Sequence, residues 1–123
     1  MHWHAFVYNG AETPSDSAAN DLSQPVRPVD LRDWFEKPAS MRRGTYTDVD
    51  GAHAWLATEL AEVDPRPDLL PDSLEHYRTH LELGQDAYAG GYARDHRGVY
   101  VRCLLTCPRT GADVRPVQCP EAP

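Results

Sequence analysis

Apolar and polar positions alternate at the start of the chain. Trp3, Ala5 and Val7 fall on one face of an extended segment, and the other face carries His2, His4, Phe6 and Tyr8. Successive side chains of a strand point to opposite faces of a sheet, so this alternation predicts a strand over residues 2–8. The turn signal Asn9-Gly10 ends it.

The next stretch has no apolar period. Residues 11–29 are rich in Ser, Asp, Asn and Pro, which favours a flexible loop. A short apolar cluster within residues 30–35 predicts a helical turn that anchors this loop to the rest of the domain. Residues 42–46 are a candidate second strand, because their Thr and Tyr side chains suit a pleated surface.

Two helices follow in the pattern. Residues 50–62 and 72–83 carry apolar side chains at the three-and-four spacing of a buried stripe. Asp48 or Asp50 can cap the first helix, and a capping box of Asp72 and Glu75 begins the second. The stripes consist of Val49, Ala52, Leu56, Leu60 and Val63, then Leu74, Tyr77 and Leu81.

The last third predicts a β-hairpin. Residues 87–94 and 99–107 are two strands joined by the turn 95–98, and the second strand has an apolar side of Val99, Val101, Cys103 and Leu105. The expected fold is α+β: a small antiparallel sheet of the N-terminal strand plus the C-terminal hairpin, with two helices on one face. It is a single domain over residues 1–123, with an irregular tail at 108–123.

Charge and composition exclude several classes of protein. The net charge of -7 makes nucleic-acid binding unlikely, although five arginines lie in the last third of the chain. No stretch approaches the roughly twenty apolar residues of a membrane span, and the start lacks a basic leader. The expected location is therefore the cytoplasm, without processing and without membrane attachment. Eleven of the twelve basic residues are Arg and Ile is absent, a bias typical of GC-rich coding such as that of actinobacteria.

Two histidine pairs are candidates for chemistry. His2 and His4 share one face of the first strand, and His76 and His80 share one face of the second helix. If strand and helix meet, the four could hold a metal or shuttle a proton. Tyr77 follows His76, so the HExxH motif with its Glu base is absent. The candidates for catalysis are His76, His80 and His4.

Three cysteines have the spacing C-x3-C-x11-C. Cys103 and Cys107 lie about 13 Å apart along a regular strand, whereas two sulfurs on one tetrahedral zinc lie within roughly 4 Å. Cys103 is therefore expected in the core, and Cys107 with Cys119 is a candidate pair. We expect no stoichiometric zinc and no cofactor. The residues that a metal would use, if one bound, are His2, His4, His76, His80, Cys107 and Cys119.

An aromatic and polar set forms the expected binding surface. Tyr88, Tyr92, Tyr100 and Arg102 are expected on one, partly exposed face of the hairpin, where Tyr and Arg favour a ligand or partner. A core layer beneath helices would show the same pattern.

The expected function is a small non-catalytic module that binds a protein partner or a small ligand through this face. The alternative is a small enzyme of an accessory or biosynthetic pathway that uses a histidine cluster for acid–base or metal chemistry. Convergence of the histidines in a pocket would distinguish the two.

Overall fold

The protein is built around a four-stranded antiparallel sheet. The computed structural model describes residues 1–10, 15–64, 66–93, 98–109 and 119. The strands are β1 (His2–Gly10), β2 (Arg42–Tyr46), β3 (Ala87–Tyr92) and β4 (Val99–Cys107), in the spatial order β2-β1-β4-β3. The predicted α+β class and the candidate strand at 42–46 are both confirmed.

The pairing of β1 with β4 forms the centre of the sheet. It runs antiparallel from His2 opposite Cys107 to Gly10 opposite Val99. Directly opposed residues of an antiparallel pair share a face, so this register decides which side chains of the two strands meet. Both strands are buried over most of their length, because both faces of the sheet are covered.

Two helices cover the first face of the sheet. Helix α2 (Val49–Val63) and helix α3 (Leu70–Glu82) pack Leu56, Leu60 and Leu81 against strand residues on this helix face. Each leucine withdrawn from water in this way contributes about 1.5–3 kcal/mol. The strand residues of this core are Trp3, Ala5, Ala87, Ala89, Tyr100 and Leu104.

The ends of the helices agree only in part with the sequence. Asp48, one of the two candidate caps, caps α2 by accepting a hydrogen bond from the Gly51 amide. Helix α3 begins at Leu70 with no side-chain cap, so the predicted capping box of Asp72 and Glu75 is wrong. Pro71 explains the earlier start, because a proline in the first turn withholds only an N–H that would have no partner in the helix.

The second face carries its own core beneath the segment between β1 and β2. The 3-10 segment Leu31–Glu36 buries Trp34 and Phe35 on the sheet, which confirms the predicted helical turn. A five-residue helix, α1 (Asp16–Asn20), lies within the predicted loop, and the pattern did not indicate it. The strand side of this loop-covered face is formed by Phe6, Tyr8, Val101, Cys103 and Leu105.

A buried lysine links the two parts of this covering segment. Lys37 is 3% exposed and donates hydrogen bonds to the carbonyls of Ala18, Asp21 and Gln24. These contacts hold the loop after α1 close to the 3-10 segment. The predicted mobility of residues 11–29 stays a prediction, and residues 11–14 lie outside the described residues.

Two further sequence expectations fall largely outside the described chain. Residue 94 of the predicted strand, residues 95–97 of the predicted turn and most of the predicted tail 108–123 lie outside the described ranges. Within those ranges, no helix combines the length and the apolar character that crossing a bilayer requires.

Candidate metal centre

Two strands and one later residue bring four metal-binding side chains together. His2 and His4 lie on the loop-covered face of β1, and the register places Cys107 directly opposite His2. Cys119 joins them, so that one ligand atom from each residue lies within 4.8 Å of the others. We call these four residues the His/Cys cluster. Among the described residues it is the one group of three or more His, Cys, Asp or Glu with this geometry.

The distances within the His/Cys cluster have the scale of a tetrahedral metal site. The Nε2 atoms of His2 and His4 are 3.1 Å apart, and Cys119 Sγ lies 3.4 Å from the first and 3.0 Å from the second. Zinc binds nitrogen at about 2.0–2.1 Å and sulfur at about 2.3 Å, which separates neighbouring tetrahedral ligands by about 3.3–3.8 Å. Small shifts of the side chains would therefore accommodate the ion.

Strand β2 orients the second histidine. Thr45 is opposite His4 in the β1–β2 register, and its Oγ1 lies 3.0 Å from His4 Nδ1. When the Nδ1–H donates to this hydroxyl, the lone pair is on Nε2, where the other ligand atoms lie. Phe35 packs edge-on against the same imidazole at a centroid distance of 5.9 Å. Both contacts fix the ring in a ligating orientation.

Burial sets the protonation of the His/Cys cluster. His4 is 1% exposed, and desolvation, assisted by His2 and Arg42, lowers its pKa to about 4. This imidazole is therefore neutral at pH 7, and the lone pair on its Nε2 is available to bind a metal. Desolvation and then the neighbouring Cys119 raise the pKa of Cys107 to about 11, so without a cation it remains a thiol. A bound cation would release that proton, since a coordinated thiol is deprotonated.

The second histidine pair lies elsewhere. His76 and His80 are on α3, which packs on the helix face, whereas His2 and His4 are on the loop-covered face. The Nε2 atoms of His76 and His80 are 3.2 Å apart, and His80 Nδ1 contacts Gln85 Oε1 at 2.8 Å. The sheet thus separates the two pairs, and the shared four-histidine site considered from the sequence does not form.

Cys103 lies where the sequence placed it. It is fully buried in the core of the loop-covered face, opposite Phe6. Burial raises the pKa of its thiol well above the usual range. Such a thiol is a small apolar core group and not a metal ligand.

The predicted Tyr and Arg face does not exist as one surface. Tyr100 and Arg102 are on the helix face and are only 7% and 5% exposed. Tyr88 is opposite Cys103 and Tyr92 is opposite Val99, so these two tyrosines are on the other face. The expectation that all four share an exposed face is wrong, because the β3–β4 register pairs Tyr100 with Gly91 and Arg102 with Ala89, and not with the two tyrosines of β3.

Arg102 is buried because it has partners for its charge. Its Nε donates to Glu59 Oε1 at 3.0 Å, and its Nη1 donates to the carbonyls of Tyr8 and Val101. Its Nη2 donates to Asn9 Oδ1 at 2.9 Å. These contacts give Arg102 a structural role between α2 and the strands. These contacts do not test the predicted role of Arg102 in binding.

Sequence reasoning missed Thr45 as a partner of the site. The signal was present, since a strand at residues 42–46 beside the first strand can place a hydroxyl next to His4. Which residue is opposite His4 depends on the β1–β2 register, and that pairing contains an irregularity between Ala5 and Phe6.

Comparisons with protein-family models, with curated proteins and with solved structures find no match for this chain.

Proposed function

We propose that this protein binds one zinc ion through His2, His4, Cys107 and Cys119. The observation that carries the proposal is the convergence of four ligand atoms within 4.8 Å from three separate parts of the chain. Two imidazoles and two thiolates in a tetrahedral arrangement are a ligand set that favours zinc over magnesium, calcium or manganese.

The role proposed for this zinc is structural. Catalytic zinc sites use three protein ligands and keep the fourth position for water, whereas structural sites use four protein ligands. The His/Cys cluster would fill all four positions. The ion would then join the start of β1, the end of β4 and the segment that carries Cys119, and so stabilise the loop-covered side of the sheet. This ligand count argues against the metal-enzyme alternative considered from the sequence.

The proposal departs from the zinc-free expectation of the sequence. That expectation rested on the separation of Cys103 and Cys107 along one strand, which excludes only a site using both. The cluster uses Cys107 without Cys103 and takes its histidines from the neighbouring strand. The zinc-free expectation stays a prediction until the metal content is measured.

A cytoplasmic location is part of the same proposal. Reducing compartments keep thiols available as metal ligands, whereas oxidising ones favour disulfides. The three described cysteines form no disulfide. Localisation of the tagged protein in its source cells would test this point.

Elemental analysis of the protein after exhaustive dialysis tests the zinc proposal. We expect close to one equivalent of zinc, and its loss in Cys107→Ala and His4→Ala variants. The double variant His76→Ala/His80→Ala is the matched control, because it removes two histidines outside the cluster, and it should keep its zinc. Cobalt(II) substitution should give the intense visible bands of a tetrahedral site with thiolate ligands.

Two outcomes would overturn the proposal. One is a purified protein that neither contains zinc nor takes it up at micromolar concentration. The other is zinc that the cluster variants retain and the α3 variant loses. Circular dichroism of each variant would show whether a loss of metal reflects a lost ligand or a lost fold.

A further inference from the structure

We propose that a groove at the β3 edge of the sheet binds a small ligand that carries both an aromatic ring and an anionic group. This tyrosine groove wraps around the β3 edge at Gly90 and Gly91. Tyr77 and Tyr100 line it from the helix face, and Tyr88 and Tyr92 line it from the loop-covered face. It lies toward the Val99 end of β4, whereas the His/Cys cluster lies at the Cys107 end. The two proposals therefore stand on separate residues.

The groove has the size of a small-molecule site. It consists of two adjoining depressions of ≈ 530 and ≈ 400 Å³ that share Tyr77, Gly90, Gly91, Tyr92 and Tyr100. Ligand sites commonly occupy about 300–1,000 Å³. β3 is an edge strand among the described strands, so the groove opens sideways as well as over the sheet.

Two aromatic side chains flank a glycine on one side of β3. Tyr88, Gly90 and Tyr92 alternate along the loop-covered face, and the two rings arise from positions about 13 Å apart along the strand. Tyr88 is 38% and Tyr92 is 53% exposed, so part of each side chain is available for contact with a ligand. The floor between them carries no side chain, so a flat ring can stack against a tyrosine there.

Gly90 keeps this floor open for a second reason. A Cβ at this position would lie 3.3 Å from the Tyr100 carbonyl oxygen and 3.6 Å from the Tyr88 ring. A larger residue would fill the space between the two tyrosines and press on β4. The bare backbone is thus what lets a ligand approach the sheet at this point.

The charges beside the tyrosine groove favour an anion. Arg27 lines one half together with Tyr88, and its buried Nε has no hydrogen-bond partner among the described residues. Arg66 lines the other half together with Asp64. Among the described residues that line the groove, two guanidinium groups stand against one carboxylate, although the whole chain has a net charge of -7. Guanidinium binds carboxylate, sulfonate or phosphate oxygens through charge-assisted hydrogen bonds.

A pair of fluorescent probes tests the inference. The probe 8-anilinonaphthalene-1-sulfonate has an aromatic system and an anionic group, and N-phenyl-1-naphthylamine has the same rings without the charge. We expect saturable binding of the sulfonate, tighter than that of the neutral amine. Arg27→Gln should weaken the sulfonate about tenfold, as for one lost charge-assisted contact, and leave the amine unchanged. Tyr92→Leu should weaken both probes.

Arg43→Gln is the matched control, because Arg43 is an exposed arginine on β2, the opposite edge strand. It should change neither affinity. An amide NMR titration of the unmutated protein gives a result independent of variant folding, and the shifts should concentrate at Gly90, Gly91 and Tyr92. Equal affinity for both probes, an unchanged sulfonate affinity in a folded Arg27→Gln variant, or shifts confined to other surfaces would each overturn the inference.

Discussion

Replacement of Arg102 by Ala should destabilise the protein by about 3 kcal/mol. The Arg102 side chain is 7% exposed, and the side chain of its partner Glu59 is 26% exposed. Removing one member of a buried ion pair costs about 3–5 kcal/mol, because the other charge is left without its partner. Water can reach part of Glu59, which lowers this cost, so the expected loss is near the lower end of the range.

Urea denaturation of the wild type and the Arg102→Ala variant measures this loss. Arg78→Ala is the matched control, since Arg78 is 40% exposed, pairs with Asp50 and Glu82, and should leave the midpoint close to that of the wild type. The double variant Arg102→Met/Glu59→Leu should recover part of the loss, because it leaves no unpaired charge behind. A loss for Arg102→Ala as small as that for Arg78→Ala would show that Arg102 is a surface residue and would refute the argument from burial.

Two further predictions concern the His/Cys cluster. Thr45→Val should weaken zinc binding by about 10–100-fold while the fold is kept, because the hydroxyl that orients His4 is lost. Competition with a chromogenic chelator measures the zinc affinity. An affinity equal to that of the wild type would exclude the orienting role of Thr45. The metal-free protein should lose stability as the pH falls from 6.5 towards 4, by up to about 3 kcal/mol. The sign follows from the lowered pKa of His4, about 4 in the folded chain against an ordinary value of 6.5, since the unfolded chain binds a proton in this window that the folded chain does not. Urea midpoints at pH 7 and pH 4.5 measure the effect, and a His4→Gln variant with the same pH dependence would contradict it.

The positions of the candidate ligands show where sequence reasoning stops. All four members of the His/Cys cluster are recognisable from the sequence as possible ligands, because His and Cys are the side chains that zinc uses. Their grouping is not recognisable, since it depends on the pairing of His2 with Cys107 across two strands that are far apart in the chain. His76 and His80, which local spacing alone would rank equally, are excluded because α3 packs on the opposite face of the sheet.

The alternation of β1 and β4 and the apolar stripes of α2 and α3 are visible as local periodicity. For that reason the sequence by itself determines these four elements and the α+β class, whereas it gave no sign of the short helix α1. Each element must bury an apolar face, and the period of that face identifies the element. Only the tertiary structure decides what covers each face. Arg102 is opposite the apolar line of its strand and was expected at the surface, yet α2 brings Glu59 to it and makes burial favourable. A charged side chain has no intrinsic inside or outside, because its position depends on a partner that the tertiary fold supplies.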